Sequence, residues 1–153
     1  MTTNLDCCNA ILYGLPKFLL NRLQLVQNRA ACIVTFTKKH EHITPSLIDL
    51  HWLPVEYRIR YKILLLVYKA INGFSPSYIS NLLSFCNSSY SLRSCSNKLL
   101  HVPRSKLKSY GDRRFSIAGP KLWNSTPAFS RNANSLNSFK KQLKTYLFHQ
   151  AFP

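Results

Sequence analysis

The sequence predicts a mainly α-helical protein, an irregular helical bundle with a basic, loop-rich C-terminal part. Three observations predict this class. Apolar residues recur at helical spacing in three long segments, prolines stand at the start of two of them, and serine-rich or basic stretches without periodicity separate the last segment from the others. The 153 residues are enough for one domain with its own core, and 46% hydrophobic residues are typical of a folded chain.

Residues 1–83 are predicted to form a helical scaffold. A short helix over 4–13 ends at Gly14, and Pro16 opens a longer helix, because proline is tolerated at the first position of a helix. We expect the apolar stripe of this longer helix to face the core. The stripe consists of Leu19, Leu20, Leu23, Val26, Ala30, Ile33 and Val34.

The next two predicted helices flank the motif HWLP. Thr44 and Pro45 are predicted as the N-cap and first residue of a short helix that ends at Leu50. The longest helix is predicted over 54–72, where Gly73 stops it. It is apolar nearly all round, which is typical of the central helix of a bundle.

The segment after this central helix is predicted to be less regular. A short helix over 77–83 leads into a serine-rich loop over 84–98, and residues 98–103 fit one short strand or hairpin. A basic segment, 99–153, follows.

This basic segment is predicted to contain two helices. One covers about 113–123, and an amphipathic helix covers 135–148 with Ser135 as its N-cap.

The charge balance is the most unusual property of the chain. Twenty-one Lys and Arg residues face five acids, a net charge of +16, and twelve of the basic residues but only one acid lie in 92–153. Positive charges at this density repel one another unless an anion neutralises them. Nucleic acid is the favoured partner; the alternatives are a solvated basic face, an acidic lipid surface or an acidic neighbouring domain.

Basic and aromatic residues interleave where this charge is concentrated. Lys and Arg neutralise backbone phosphates, and exposed aromatic rings stack on unpaired bases. Trp123 also lies here, but its spacing from Phe115 suits a packed helix, so we interpret Trp123 as core. The candidate nucleic-acid-binding residues are Arg93, Lys98, Arg104, Lys106, Lys108, Tyr110, Arg113, Arg114 and Lys121.

Catalysis by this chain is not expected, and no catalytic residue, metal ligand or cofactor is predicted. The five acids are scattered, whereas two-metal chemistry needs converging carboxylates. Cys86, Cys95 and His101 have a spacing that matches no common zinc or thiol pattern.

The sequence predicts an intracellular protein, cytoplasmic or nuclear, without a membrane anchor. Five cysteines form no disulfide framework, and the N-terminus lacks the features of a secretory signal. The apolar run 63–67 is far shorter than the ~20 residues of a spanning helix.

Several motifs, in order and over almost the whole chain, are similar to one known family. They include NLDCCNAILYGLPKFLLNRLQLVQNRAACIVT, HITPSLIDLHWLPVEYRIRYK, YGDRRFSIAGPKLWNSTP and SFKKQLKTYLF. The chain resembles the region downstream of the reverse-transcriptase domain in the large open reading frame of animal non-LTR retrotransposons, the jockey-like long interspersed elements. The resemblance implies a helical module that helps hold template RNA or target DNA during target-primed reverse transcription.

Departures from this family limit what can be carried over. The endonuclease and polymerase of the relatives, with a Tyr-any-Asp-Asp turn, have no counterpart in these residues, and Cys7 stands where the family tends to have tyrosine. We therefore expect a fragment of a larger protein that is not itself an enzyme. The alternative is a structural fragment that docks on a missing polymerase domain and exposes Leu12, Leu20 and Leu23 when alone.

Overall fold

A computed structural model of the chain describes residues 6–38, 41–86 and 98–153, with the side chains of 108 and 109 outside the described part. This part is mainly helical, which confirms the predicted fold class. A short 3-10 helix, Asn9–Leu12, comes first. The α-helices are α1 Lys17–Thr35, α2 Ile43–Asp49, α3 Val55–Ile71, α4 Ser77–Ser80, α5 Lys108–Gly111, α6 Phe115–Ser125, α7 Ala128–Arg131 and α8 Leu136–Ala151.

Helix α3 is the centre of the fold and matches the predicted helix over 54–72. Pro54 occupies its N-cap position with φ −55°, and Gly73 follows its end with φ +75°, a conformation that favours glycine. The helix contacts α1, α6, α8 and the 3-10 helix. The two ends of the chain therefore share one core around α3.

Helix α6 lies close to α3 because a glycine stands at their contact. A Cβ on Gly119 would be 2.9 Å from Val67 Cγ2, so any side chain there would force the two helices apart. Next to this contact, the rings of Tyr68 and Phe139 stack with centroids 4.2 Å apart. Trp123 is 1% exposed and lies 5.9 Å from Phe139, between ring centroids, which confirms Trp123 as a core residue.

The prediction for the buried face of α1 was wrong in part. Val26, Ile33 and Val34 are exposed, and Ile33 retains 72% of its accessible surface. The glutamines face inward instead: Gln27 Nε2 donates to the Leu53 carbonyl at 2.9 Å, and Gln24 Oε1 accepts from the Val55 N–H at 2.9 Å. The bond to Gln24 satisfies the Val55 N–H, one of the N–H groups that the first turn of α3 leaves unpaired, and both bonds fix the rotation of α1.

Two predicted helix boundaries also need correction. Helix α2 begins at Ile43 with His42 at the N-cap, so Thr44 is not the cap. Pro45 lies in the first turn, where backbone N–H groups have no acceptor within the helix, so a residue without an N–H is tolerated there. Helix α4 ends at Ser80, although single turns continue to Leu83.

The N- and C-terminal helical segments differ less from prediction. Within the predicted helix over 4–13, the 3-10 helix covers only Asn9–Leu12. Helix α6 is displaced by two residues from the predicted 113–123. Helix α8 begins as predicted after Ser135, whose Oγ accepts from the Ser138 N–H at 3.1 Å. It ends at Ala151, three residues beyond the predicted end at 148.

Leu12, Leu20 and Leu23 are partly buried against the core, so the expectation that they are exposed was wrong. Each belongs to an element that contacts α3. Their apolar surface is therefore covered in large part within the chain itself.

The predicted strand or hairpin near 98–103 is observed as a single antiparallel bridge between Phe85 and Leu100. The Cys86 N–H donates to the Leu99 carbonyl at 3.0 Å, and the His101 N–H donates to the Ser84 carbonyl at 2.8 Å. Most of the predicted serine-rich loop, residues 87–97, lies outside the described residues.

Candidate nucleic-acid interface

A cleft of about 580 Å³, here called the basic cleft, opens between the loop before α5 and the start of α6. Three cationic side chains line it, all of them exposed, and no Asp or Glu is among its described lining residues. It therefore presents uncompensated positive charge to solvent. Its lining consists of Arg104, Ser105, Lys106, Leu107, Tyr110, Gly111 and Arg114.

The loop closes onto α5 because of a local hydrogen-bond arrangement. Ser105 Oγ and the Gly111 N–H both donate to the Leu107 carbonyl, each at 2.9 Å. A Cβ on Gly111 would overlap Ser105 Oγ, so glycine is what lets the loop approach the helix. This turn places Arg104 and Lys106 on the same cleft as Arg114.

The start of α6 adds to the positive field of the basic cleft. The helix begins at Phe115, directly after Arg114, with no acidic residue in its first turn and no side-chain cap. The N-terminal end of a helix carries a partial positive charge, so it favours anions at this place. Arg114 Nε donates to the Gly111 carbonyl at 3.3 Å, which anchors the guanidinium beside the cleft.

Tyr110 is held in position by Arg113. The guanidinium carbon of Arg113 lies 5.6 Å from the centroid of the Tyr110 ring, within the range of a cation–π contact. Tyr110 is nevertheless 75% exposed. The Arg113 side chain also packs on Gly14, where a Cβ would be 2.8 Å from Arg113 Cγ, and its Nε is buried without a hydrogen-bond partner. Arg113 thus supports Tyr110 and does not line the basic cleft.

The structure does not bring the remaining predicted site residues into the basic cleft. Lys121 Nζ forms an ion pair with Asp112 Oδ2 at 2.9 Å, which reduces its availability to a phosphate. Lys98 is exposed, and its carbonyl accepts from Trp123 Nε1 at 2.8 Å. Arg93 lies outside the described residues, and of Lys108 only the backbone, in α5, is described.

A second cleft, here called the apolar cleft, adjoins the basic cleft and has a volume of about 550 Å³. Tyr110 and Arg114 line both clefts. Sequence reasoning missed this feature, because Tyr78 lies in a short helix without basic neighbours. The other lining residues are Ala10, Ile11, Ile63, Leu66, Tyr78, Ile79, Leu82, Arg113, Phe115 and Ala118.

The acids of the described chain are mostly occupied by basic side chains. Asp6 pairs with Arg58 at 3.3 Å, and Glu56 pairs with Arg60 one helical turn away. Within residues 6–38, 41–86 and 98–153, no group of three or more His, Cys, Asp or Glu side chains could hold a metal ion. In the same ranges no helix is both long and apolar enough to cross a bilayer.

Comparison of the chain with protein-family models, with curated proteins and with solved structures gives no match in any of the three.

Proposed function

We propose that this chain is a non-catalytic module that binds the backbone of RNA or DNA. The observation that carries the proposal is the basic cleft, where Arg104, Lys106 and Arg114 surround one concave surface without a carboxylate among the described lining residues. Phosphates are its natural ligand, because each contact neutralises charge and releases counterions. The exposed ring of Tyr110 adds a stacking surface.

The resemblance to the retrotransposon region supports the same function from an independent direction. In that family the region follows a reverse transcriptase, and the module would help to hold template RNA or target DNA. We place its action inside the cell, in the cytoplasm or the nucleus, where these nucleic acids are found. The polymerase itself would be supplied by the full-length element or in trans.

The composition of the basic cleft favours affinity over sequence recognition. Arginine and lysine on a surface loop contact phosphates, which carry no sequence information. No Asn or Gln, the side chains that read adenine edges, is among the described lining residues. We therefore expect similar affinity for strands of different sequence.

A matched pair of triple variants tests this proposal. Arg104, Lys106 and Arg114 are changed to alanine in one variant, and Arg22, Arg29 and Lys141, which are exposed outside the cleft, are changed in the other. Both lose two arginines and one lysine. In a titration of labelled single-stranded RNA, the cleft variant is expected to bind about tenfold or more weakly than the control variant. Equal affinity of the two variants would contradict the proposal.

The exposed side of α1 favours a second candidate function, docking on a neighbouring domain. Phe18, Leu25, Val26 and Ile33 are exposed on one side of the helix, here called the α1 outer face, together with Arg22 and Arg29. Neither arginine makes an ion pair with a described residue. A second copy of this chain, with a net charge of +16, is a poor partner for this face.

The partner that fits the α1 outer face is an apolar surface with carboxylates opposite the two arginines. The resemblance makes a polymerase domain the first choice. Purified reverse-transcriptase domain of a jockey-like element is expected to bind the wild-type chain but not Ile33→Glu or the double variant Arg22→Glu, Arg29→Glu. Lys141→Glu with Lys144→Glu is the control. No binding by the wild type, or binding that all variants share, would eliminate this candidate.

A further inference from the structure

The apolar cleft and the basic cleft are adjacent. Tyr110 and Arg114 line both of them, so a ligand that extends past these two side chains contacts both clefts. One part is cationic and the other is apolar and aromatic. A ligand that matches both parts carries negative charge directly beside an apolar group.

The floor and walls of the apolar cleft differ in burial. Ile63 and Ala118 are buried and form the floor, whereas Tyr78 and Leu82 stand exposed at the walls. Tyr78 retains 70% of its accessible surface. No Asp or Glu lines this cleft among the described residues, and its charged members, Arg113 and Arg114, are both cations.

The two tyrosines come from separate elements, Tyr78 from α4 and Tyr110 from α5. Arg113 contacts the Tyr110 ring at 5.6 Å, which lowers the cost of ordering this ring when a ligand stacks on it. An aromatic ring that stays exposed beside a phosphate-binding surface is the usual platform for a base.

We propose that the apolar cleft binds an unpaired nucleobase whose neighbouring phosphates lie on Arg104, Lys106 and Arg114. This inference rests on the proposed function and sharpens it, because it makes a single strand the preferred ligand. A base within a duplex is stacked and paired, so it reaches such a cleft only after it leaves the helix. A phosphate-only surface would not distinguish a strand with bases from one without.

The test compares three ligands of equal length: single-stranded oligouridine, an abasic strand with the same phosphates, and a duplex. The variants are Tyr78→Ala, Tyr110→Ala and Tyr110→Phe, with Phe129→Ala as a control at an exposed aromatic residue outside both clefts. All these side chains are exposed, so the variants are expected to fold, and thermal melting checks this. The cleft and control triple variants are titrated with the abasic strand in parallel.

The wild type is expected to bind oligouridine about 5- to 100-fold more tightly than the abasic strand. Tyr78→Ala and Tyr110→Ala are expected to lose most of this preference, whereas Tyr110→Phe and Phe129→Ala retain it. Tyr78 lies outside the basic cleft, so Tyr78→Ala is expected to bind the abasic strand as the wild type does. Equal binding of both single strands by the wild type would overturn the inference. A preference for oligouridine over the abasic strand that persists in both Tyr78→Ala and Tyr110→Ala would also overturn the inference.

These outcomes are distinguishable from failure of the proposed function. Loss of the base preference alone leaves the backbone-binding proposal intact, because the abasic strand still binds through the basic cleft. If the cleft triple variant and its control bind the abasic strand equally, the proposed function itself fails, and the base-binding inference fails with it.

Discussion

The side chain of Asn124 exchanges two hydrogen bonds with the backbone of Leu100. Asn124 Oδ1 accepts from the Leu100 N–H at 3.0 Å, and Asn124 Nδ2 donates to the Leu100 carbonyl at 2.8 Å. Trp123 Nε1 adds a bond to the Lys98 carbonyl. These bonds fasten the start of the basic segment to α6, the helix that also carries one border of the basic cleft.

Asn124→Ala is expected to destabilise the protein by about 1–3 kcal/mol, because it leaves two backbone groups of a buried residue without partners. Denaturant unfolding measures this change. Asn134→Ala is the control, since Asn134 is exposed, and a change within about 0.5 kcal/mol is expected there. An equal effect of the two variants would show that the two bonds to Leu100 do not stabilise the fold.

Gly119→Ala is expected to destabilise the fold by about 1–3 kcal/mol, because the added methyl group meets Val67 at the contact of α6 with α3. The double variant Gly119→Ala, Val67→Ala frees this space. Thermal unfolding of the two single variants and the double variant gives the coupling between the sites. If the destabilisation of the double variant equals the sum of those of the two single variants, the close contact between Gly119 and Val67 is contradicted.

Arg131→Met is expected to stabilise the protein by about 1–3 kcal/mol. Arg131 is only 7% exposed, its Nε and Nη1 are buried without hydrogen-bond partners, and burial lowers its pKa. Methionine removes the buried charge and keeps much of the volume. Lys141→Met, at an exposed position, is the control. A lower melting temperature for Arg131→Met would contradict this account of the residue.

The observed orientation of α1 predicts that Gln24 contributes more to the stability of the protein than the apolar residue Ile33. Gln24→Ala is expected to cost about 1–2 kcal/mol, because the Val55 N–H at the start of α3 loses its acceptor. Ile33→Ser is expected to change stability by less than about 0.5 kcal/mol, because Ile33 is exposed. Unfolding in urea measures both, and a larger cost for Ile33→Ser would mean that α1 is rotated differently.

These positions show which parts of the fold could be predicted from sequence. Both boundaries of α3 and the start of α8 follow from signals within a few residues, namely Pro54, Gly73 and Ser135. The rotation of α1 depends on Gln24 and its partner 31 residues away. No local pattern indicates such a bond, so the predicted buried stripe wrongly included Val26, Ile33 and Val34, which are exposed.

In the candidate site as well, some features could be identified from local sequence and others depend on contacts between distant residues. The basic stretch from Arg104 to Arg114 could be identified by composition alone. The partner of Lys121, Asp112, could not, because their ion pair depends on how α6 follows the preceding turn. The apolar cleft joins Tyr78 to Tyr110 across 32 positions of the chain, so only the folded structure reveals it.

The salt dependence of single-strand binding tests the central claim most directly. Affinity for oligouridine is measured between low and physiological salt for the wild type, for the Arg104, Lys106, Arg114 triple alanine variant and for its matched control. If the three residues contact phosphates, the slope of log affinity against log salt is expected to become shallower by about 2 in the cleft variant and to stay unchanged in the control. Equal slopes for all three proteins would contradict backbone binding at the basic cleft.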